Sequence, residues 1–207
     1  MPAEFQLLQV PYEHPDVTAL TSAAQEFYIT IYGGPDETPF TSADFSPPTG
    51  AFLVGYLDDQ AVAMGGWRFR PPGVPRVAQR PAEIKRMFVR EQVRGQGFAR
   101  MVLAALEASA AAAGADWMLL ETGQPQVAAV GLYRSSGYVD VEPFGHYVDS
   151  PLALSLGHPL RSPQPPRAST CCANARSRCT RAESNGFCPP PRARTASWPW
   201  RTIIAIA

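Results

Sequence analysis

A chain of 207 residues with 18 basic and 18 acidic side chains is long enough for one folded domain with an extension, not for several domains. Its zero net charge conceals an asymmetry: residues 1–160 hold ten Lys and Arg against seventeen Asp and Glu, whereas residues 161–207 hold eight Arg and one acid, Glu183. No apolar run approaches the ~20 residues of a membrane span, and all four cysteines lie beyond residue 160, so the folded part suits a reducing compartment. The opening Met1-Pro2-Ala3-Glu4 lacks a secretory pattern, and a soluble cytoplasmic protein is expected.

In chain order, residues 5–10 predict a strand with Phe5, Leu7 and Val10 apolar. Residues 16–32 predict a helix entered after Pro15, striped by Leu20, Ala23, Ala24, Phe27 and Ile31 and stopped by Gly33-Gly34-Pro35. Residues 33–49, rich in proline, form a long connection. Residues 51–57 and 60–68 predict a hairpin around Asp58-Asp59, with Gly65-Gly66 marking a bulge. Residues 83–89 predict the central strand, and a turn at residues 92–97 leads into a helix over residues 98–113. That helix carries Phe98, Met101, Val102, Ala105 and Leu106 on one stripe and ends at Gly114. Residues 116–121 form a continuous apolar run, as a buried parallel strand does. Residues 125–135 predict a helix opened by Pro125, with Ala128, Ala129, Leu132 and Tyr133 on one face and Gly137 beyond its end. Residues 138–141 and 152–156 read as the last strands. The order β-α-β-β-β-α-β-α-β-β predicts an α/β fold over residues 3–160: a mixed sheet flanked by helices, antiparallel at first and parallel around the glycine turn.

The turn Gln92-Val93-Arg94-Gly95-Gln96-Gly97 is where chemistry concentrates. Two glycines let the backbone bend sharply and let a ligand approach with no Cβ in the way. The amides that follow open a helix, where partial positive charge collects and favours a phosphate. The spacing matches neither G-x-G-x-x-G nor G-x-x-x-x-G-K-[ST]. By itself a Gly-x-Gly before a helix is equally a plain strand-to-helix turn.

Gln92-x-x-Gly95-x-Gly97 after a strand is similar to the acetyl-coenzyme A signature of the Gcn5-related N-acetyltransferase (GNAT) family. Leu132-Tyr133-Arg134-Ser135-Ser136-Gly137-Tyr138 resembles that family's second signature, L-Y-x-x-x-G-[FY]. The resemblance covers roughly residues 5–160. It implies a partly splayed sheet and acetyl-coenzyme A as acyl donor, held by Arg94, Gly95, Gln96, Gly97, Phe98, Ala99 and Arg100 mainly through backbone amides. It also implies that Phe88 and Val89 bond the pantetheine arm, and that an amide near Val89 polarises the thioester carbonyl. Tyr133 is then the acid that protonates the leaving thiolate, although without the upstream signature a tyrosine on an amphipathic helix reads as a core residue. Glu83, then Glu121, are the candidate bases; each is equally a solvated strand-end charge, and many members use a water chain instead. Gln126 stands where members often carry Asn, and is a candidate pantetheine contact. The connection at residues 33–49 is implied to lie beside the acceptor.

His14, His146 and His158 are isolated, which argues against metal or nucleophilic catalysis, so no metal is expected. The tail, residues 161–207, mixes Arg, Pro, Ser, Ala and Cys without periodicity. It reads as a disordered extension, with the composition of a non-native reading frame, and is assigned no function. The expected activity is therefore direct acetyl transfer to the amine of a small molecule or peptide, a cationic one by the acidic balance of residues 1–160. Two alternatives stand beside it: a non-catalytic acyl-coenzyme A-binding module, and a nucleic-acid-binding protein acting through the basic tail, the less favoured of the two. For partners, a homodimer is carried as an expectation and a membrane is not.

Overall fold

The computed structural model describes residues 4–160, and the expectations for the tail lie outside the described residues. Strand β1 is Phe5–Gln9, helix α1 Pro15–Tyr32, β2 Gly50–Leu57, β3 Gln60–Phe69 and β4 Pro81–Val89. Then come α2, Phe98–Ala112; β5, Trp117–Gly123; α3, Val127–Ser135; β6, Val139–Asp140; and β7, Ala153–Pro159. The expected order is present throughout. The connection between α1 and β2 also contains a 3-10 turn, Ser42–Phe45, in which the Thr41 N–H donates to Asp44 Oδ2 at 3.0 Å.

One mixed sheet runs β1-β2-β3-β4-β5-β7-β6. Only β4 and β5 are parallel, and they pair at just three positions: Pro81 with Trp117, Ala82 with Met118 and Glu83 with Leu119. Beyond Glu83 the strands part. β5 goes on pairing with β7 as far as Gly123, and β4 goes on pairing with β3 as far as Val89. The cause sits in β4: Arg86 and Met87 together oppose Gly65, and Arg86 takes a left-handed φ of 59°. Such a bulge bends the strand that carries it. The expected bulge is therefore on β4, opposite the glycine pair rather than within it. Gly65 is needed for another reason: a Cβ there would lie 2.9 Å from Leu106 Cδ1, so its absence lets α2 lie close on the sheet.

The bulge also resets which face each β4 side chain takes. Ala82, Ile84 and Met87 join the layer under α2 and α3, with Val102, Leu103, Leu106, Met118, Leu120 and Tyr133. Phe88 joins the opposite layer, where Val17, Leu20, Ala24 and Tyr28 of α1 meet Phe45, Phe52, Val54 and Met64. Each fully buried large aliphatic side chain contributes roughly 1.5–3 kcal/mol. Both helices sit rotated from the predicted stripes. In α2 the buried row is Phe98, Val102, Leu103, Leu106 and Ala110, while Met101 is 46% exposed. In α1 the row is Val17, Leu20, Ala24 and Tyr28. Rows spaced by four residues are the ridges a helix presents to a packed surface, and they displaced the mixed rows inferred from the sequence.

Candidate active site

Where β4 loses β5, a cleft of about 670 Å³ opens between α1 and α3, with the glycine turn at its mouth. Phe27, Tyr28 and Ile31 line it from α1, Met87, Phe88 and Val89 from β4, and Arg94, Gly95 and Gly97 from the turn. Phe98, Ala99 and Arg100 of α2 and Gln126 before α3 complete that end. Thus every residue expected to hold the acyl donor lines this cleft except Gln96, which is exposed on the same turn.

Gly95 and Gly97 adopt φ of 80° and 87°, conformations that disfavour any side chain, and a Cβ on either would meet nothing within 4 Å. The turn is therefore open to solvent. Gly97 caps α2, and its carbonyl accepts from the Arg100 and Met101 N–H groups. The Phe98 and Ala99 amides, in the first helical turn, have no intrahelical acceptor and are directed out of the helix end. Arg94 does not reach outward: its Nε donates to the Val89 carbonyl at 3.0 Å and its guanidinium lies 4.6 Å above the Phe27 ring. Arg100 bridges to α3, donating to Ser135 Oγ at 2.9 Å and Ser136 Oγ at 3.1 Å. Gln126 Nε2 donates to Tyr32 Oη at 3.0 Å, tying the start of α3 to the end of α1.

The α1 face of the parted strands carries a buried charge cluster. Glu83 has no exposed surface and faces Arg68 Nε at 3.2 Å, Arg70 Nη1 at 3.1 Å and Lys85 Nζ at 2.9 Å. Burial alone would raise its carboxyl, but Lys85, Arg70 and Arg68 together outweigh burial and hold it below the usual carboxylate range. Glu121, on the stretch of β5 that has parted from β4, shares Lys85 at 3.4 Å and accepts from the Tyr147 N–H at 3.3 Å. Burial, with Glu83 nearby, raises its carboxyl, and Lys85 only partly offsets this. Deeper in the wedge, Asp36 Oδ1 accepts from Tyr147 Oη at 2.9 Å and Thr38 Oγ1 at 2.7 Å, and Asp36 Oδ2 lies 3.4 Å from Arg86. The connection at residues 33–49 is thereby pinned to the sheet. A second cavity, about 260 Å³, opens here between Thr38, Arg68, Arg70, Lys85, Gly145 and His146.

Two buried phenols bear on the cleft, one in each core layer. Tyr133 is fully buried; its hydroxyl lies 3.6 Å from Met87 Sδ, and burial, with Tyr28 beside it, keeps its proton bound well above the ordinary range. Met87, not Tyr133, is the residue facing the cleft. Tyr28 does line the cleft, and among the described residues its buried hydroxyl has no hydrogen-bond partner. Burial, followed by the charge of Asp36, raises its pKa.

The sequence profile of the acetyltransferase (GNAT) family matches residues 17–138, more than half of the chain. The chain belongs to that family of acetyltransferases. Among GNAT relatives, an IAA acetyltransferase of Azospirillum brasilense is 45% identical over 78 residues, 38% of this chain and 51% of that protein. The chain thus matches about half the length of that relative. An uncharacterised N-acetyltransferase of Schizosaccharomyces pombe is 29% identical over 118 residues, 57% of this chain and 69% of the other. A Klebsiella pneumoniae structure assigned as an acyl-CoA N-acyltransferase superposes with a TM-score of 0.63 at 27% identity, over 76% of this chain and 98% of the other.

Within this GNAT fold the two candidate bases lie in one cluster, sharing Lys85, and the expected acid lies one side chain behind the cleft. Glu83, the first choice of base from sequence, sits at the last paired position of the wedge, clamped by three cations. Sequence reasoning missed Tyr28, Lys85 and the two arginines. Tyr28 had a signal, a hydroxyl among the apolar residues of α1. Lys85 had one too, two residues from Glu83 on the same strand face; the arginines had none, because β3–β4 pairing alone brings Arg68 to Glu83. Among the described residues no helix is long and apolar enough to cross a membrane, and no group of three or more His, Cys, Asp or Glu is placed to hold a metal.

Proposed function

We propose that this protein moves an acetyl group from acetyl-coenzyme A to the primary amine of a small molecule or peptide, by direct attack and without a metal. The observation that carries the reading is the wedge between β4 and β5 with an open glycine turn at its mouth. The residues present fit the donor. Free first-turn amides and empty space over Gly95 and Gly97 suit a diphosphate, and the long, mainly apolar cleft suits a pantetheine arm. Bound acetyl-coenzyme A supplies an acetyl group activated as a thioester.

This chain's residues do the rest. The Gly95 to Ala99 amides hold the diphosphate, with Gln96 and Arg100 at its rim. Arg94 withdraws from the Val89 carbonyl, freeing the β4 backbone at Phe88 and Val89, and Gln126 closes the far side. Phe27, Tyr28 and Phe88 keep water out. Glu121 takes the proton from the acceptor's ammonium, since a carboxyl held above its usual range is a better base near neutrality. Glu83, held ionised, keeps Lys85 and the arginines in place instead. Tyr133 supplies a proton to the departing sulfur; among the described residues its hydroxyl's one hydrogen-bond partner is a thioether, a weak acceptor that does not compete for that proton.

An amine panel with acetyl-coenzyme A, read as free thiol, tests the reading. Tyr133→Phe should cut turnover about 100-fold, the scale of a lost proton donor, while acetyl-coenzyme A affinity stays within about twofold. Thiol release that survives Tyr133→Phe but is lost in Tyr28→Phe would move the acid to Tyr28, which the cleft-lining position of its hydroxyl favours as the second reading. Donor binding with no thiol release from any amine would leave an acyl-coenzyme A-binding module.

A further inference from the structure

Resting on the reading of the protein as an amine acetyltransferase, we propose that its acceptor is a small amino-acid-like molecule bearing a carboxylate beside its amine, and that Arg70 with Arg68 reads that carboxylate. The cavity on the α1 face carries the argument. Its charged lining residues, Arg68, Arg70 and Lys85, are all cationic. Of the acids that partner them, Glu83 and Glu121 lie behind this wall, their side chains 0% and 1% exposed, while Asp44, beside Arg68, is 35% exposed. An entering group meets donors first.

Those donors are only partly used. Arg68 spends Nε on Glu83 and Nη1 on Asp44, at 3.2 and 3.0 Å. Arg70 spends Nη1 alone, on Glu83 at 3.1 Å. Among the described residues, Arg70 Nε and Nη2 and Arg68 Nη2 have no partner. Three cations converge on the one carboxylate of Glu83; Asp44 attends only Arg68 and Glu121 only Lys85, so Arg70 has no second acid. The Phe144 ring lies 4.9 Å beneath the Arg70 guanidinium and holds its plane. A fixed, half-buried guanidinium with two unspent donors matches the two oxygens of a carboxylate.

The same cavity places an amine. Gly145 lines it, and a Cβ on Gly145 would overlap the Glu121 carboxylate, so the proposed base lies directly behind that stretch of backbone. Lys85 touches Glu121 at one side and Glu83, with its arginines, at the other. In the proposal a molecule in this cavity carries its amine toward the Gly145 side, behind which Glu121 lies, and its anion toward Arg70. About 260 Å³ is below the ~300–1,000 Å³ of drug-sized pockets, which favours an acceptor of amino-acid size. The excess of acids over the whole domain pointed to a cationic acceptor; the local wall adds an anion to it.

The test is kcat/KM, by thiol release, for free amino acids each paired with its carboxamide, in wild type, Arg70→Gln and Arg70→Lys. For the best-used amine, the carboxylate form should be favoured about tenfold or more, the scale of a charge-assisted pair. Arg70→Gln should bring that ratio toward one by raising KM for the carboxylate form, and Arg70→Lys should restore part of it. Equal or faster turnover of the carboxamides by wild type overturns the proposal, as does a ratio unchanged in Arg70→Gln. If calorimetry shows that Arg70→Gln no longer binds acetyl-coenzyme A, the wild-type ratio decides alone. Thiol release at equal rates sinks only this inference; no thiol release from any amine sinks the acetyltransferase reading together with it.

Discussion

Glu83 and Glu121 lie on neighbouring strands and share one lysine, yet their carboxyls are pushed in opposite directions. The difference is the number of cations each can reach. Glu83 is held below its ordinary value near ~4.3, so its stabilisation is present above that value and lost as pH falls through the folded one. Glu121 is held above it, so the fold favours its protonated form, and this contribution is lost as pH rises through the folded value. Glu83→Gln, which removes the buried carboxylate shared by three cations and leaves Arg70 without an acid among the described residues, should cost about 3 kcal/mol in denaturant unfolding at neutral pH, and the loss should shrink in acid. Glu121→Gln should hold or gain stability at neutral pH. Turnover should show the reverse pattern: about 100-fold or more lost in Glu121→Gln, along with the acid limb of the wild-type pH–rate profile, which should lie above the ordinary carboxylate value. An acid limb that persists in Glu121→Gln would remove this residue as the base.

At the scale of elements, the wedge follows from two local events, the left-handed bulge at Arg86 and the glycine turn that follows β4. Gly97→Ala separates their roles. With nothing within 4 Å of the new Cβ, the cost in the protein without ligand is backbone strain alone, roughly 1–2 kcal/mol by thermal unfolding. Acetyl-coenzyme A affinity should fall further, about tenfold, because the methyl stands where the diphosphate approaches. Equal affinity in Gly97→Ala would mean that the turn does not meet the ligand. The element order and the turn were legible in the sequence because hydrophobic periodicity and glycine spacing are local signals. The rotation of α1 and α2 was not, since Tyr28 and Leu103 enter the core only once the sheet they pack on is known. Nor was the bulge, because Gly65-Gly66 carries the local mark while the extra residue sits across the ladder at Arg86 and Met87. Most of the charge cluster is a product of register: Glu83 and Lys85 share a face of β4 by strand alternation, but Glu83 meets Arg68 only through β3–β4 pairing.

At the scale of the whole domain, two cavities lie on the two sides of one opening in the sheet. One suits a long, diphosphate-bearing donor and the other a small charged acceptor. In the proposed reading the surplus of acids over residues 1–160 speaks for the acceptor's amine, and the cationic wall of one cavity speaks for its anion. The most direct test is a crystal structure with acetyl-coenzyme A bound. The account predicts the diphosphate on the Gly95 to Ala99 amides, Arg94 swung away from the Val89 carbonyl, and the thioester between β4 and β5 beyond Glu83. A diphosphate bound elsewhere, or an acetyl group outside that gap, would contradict it.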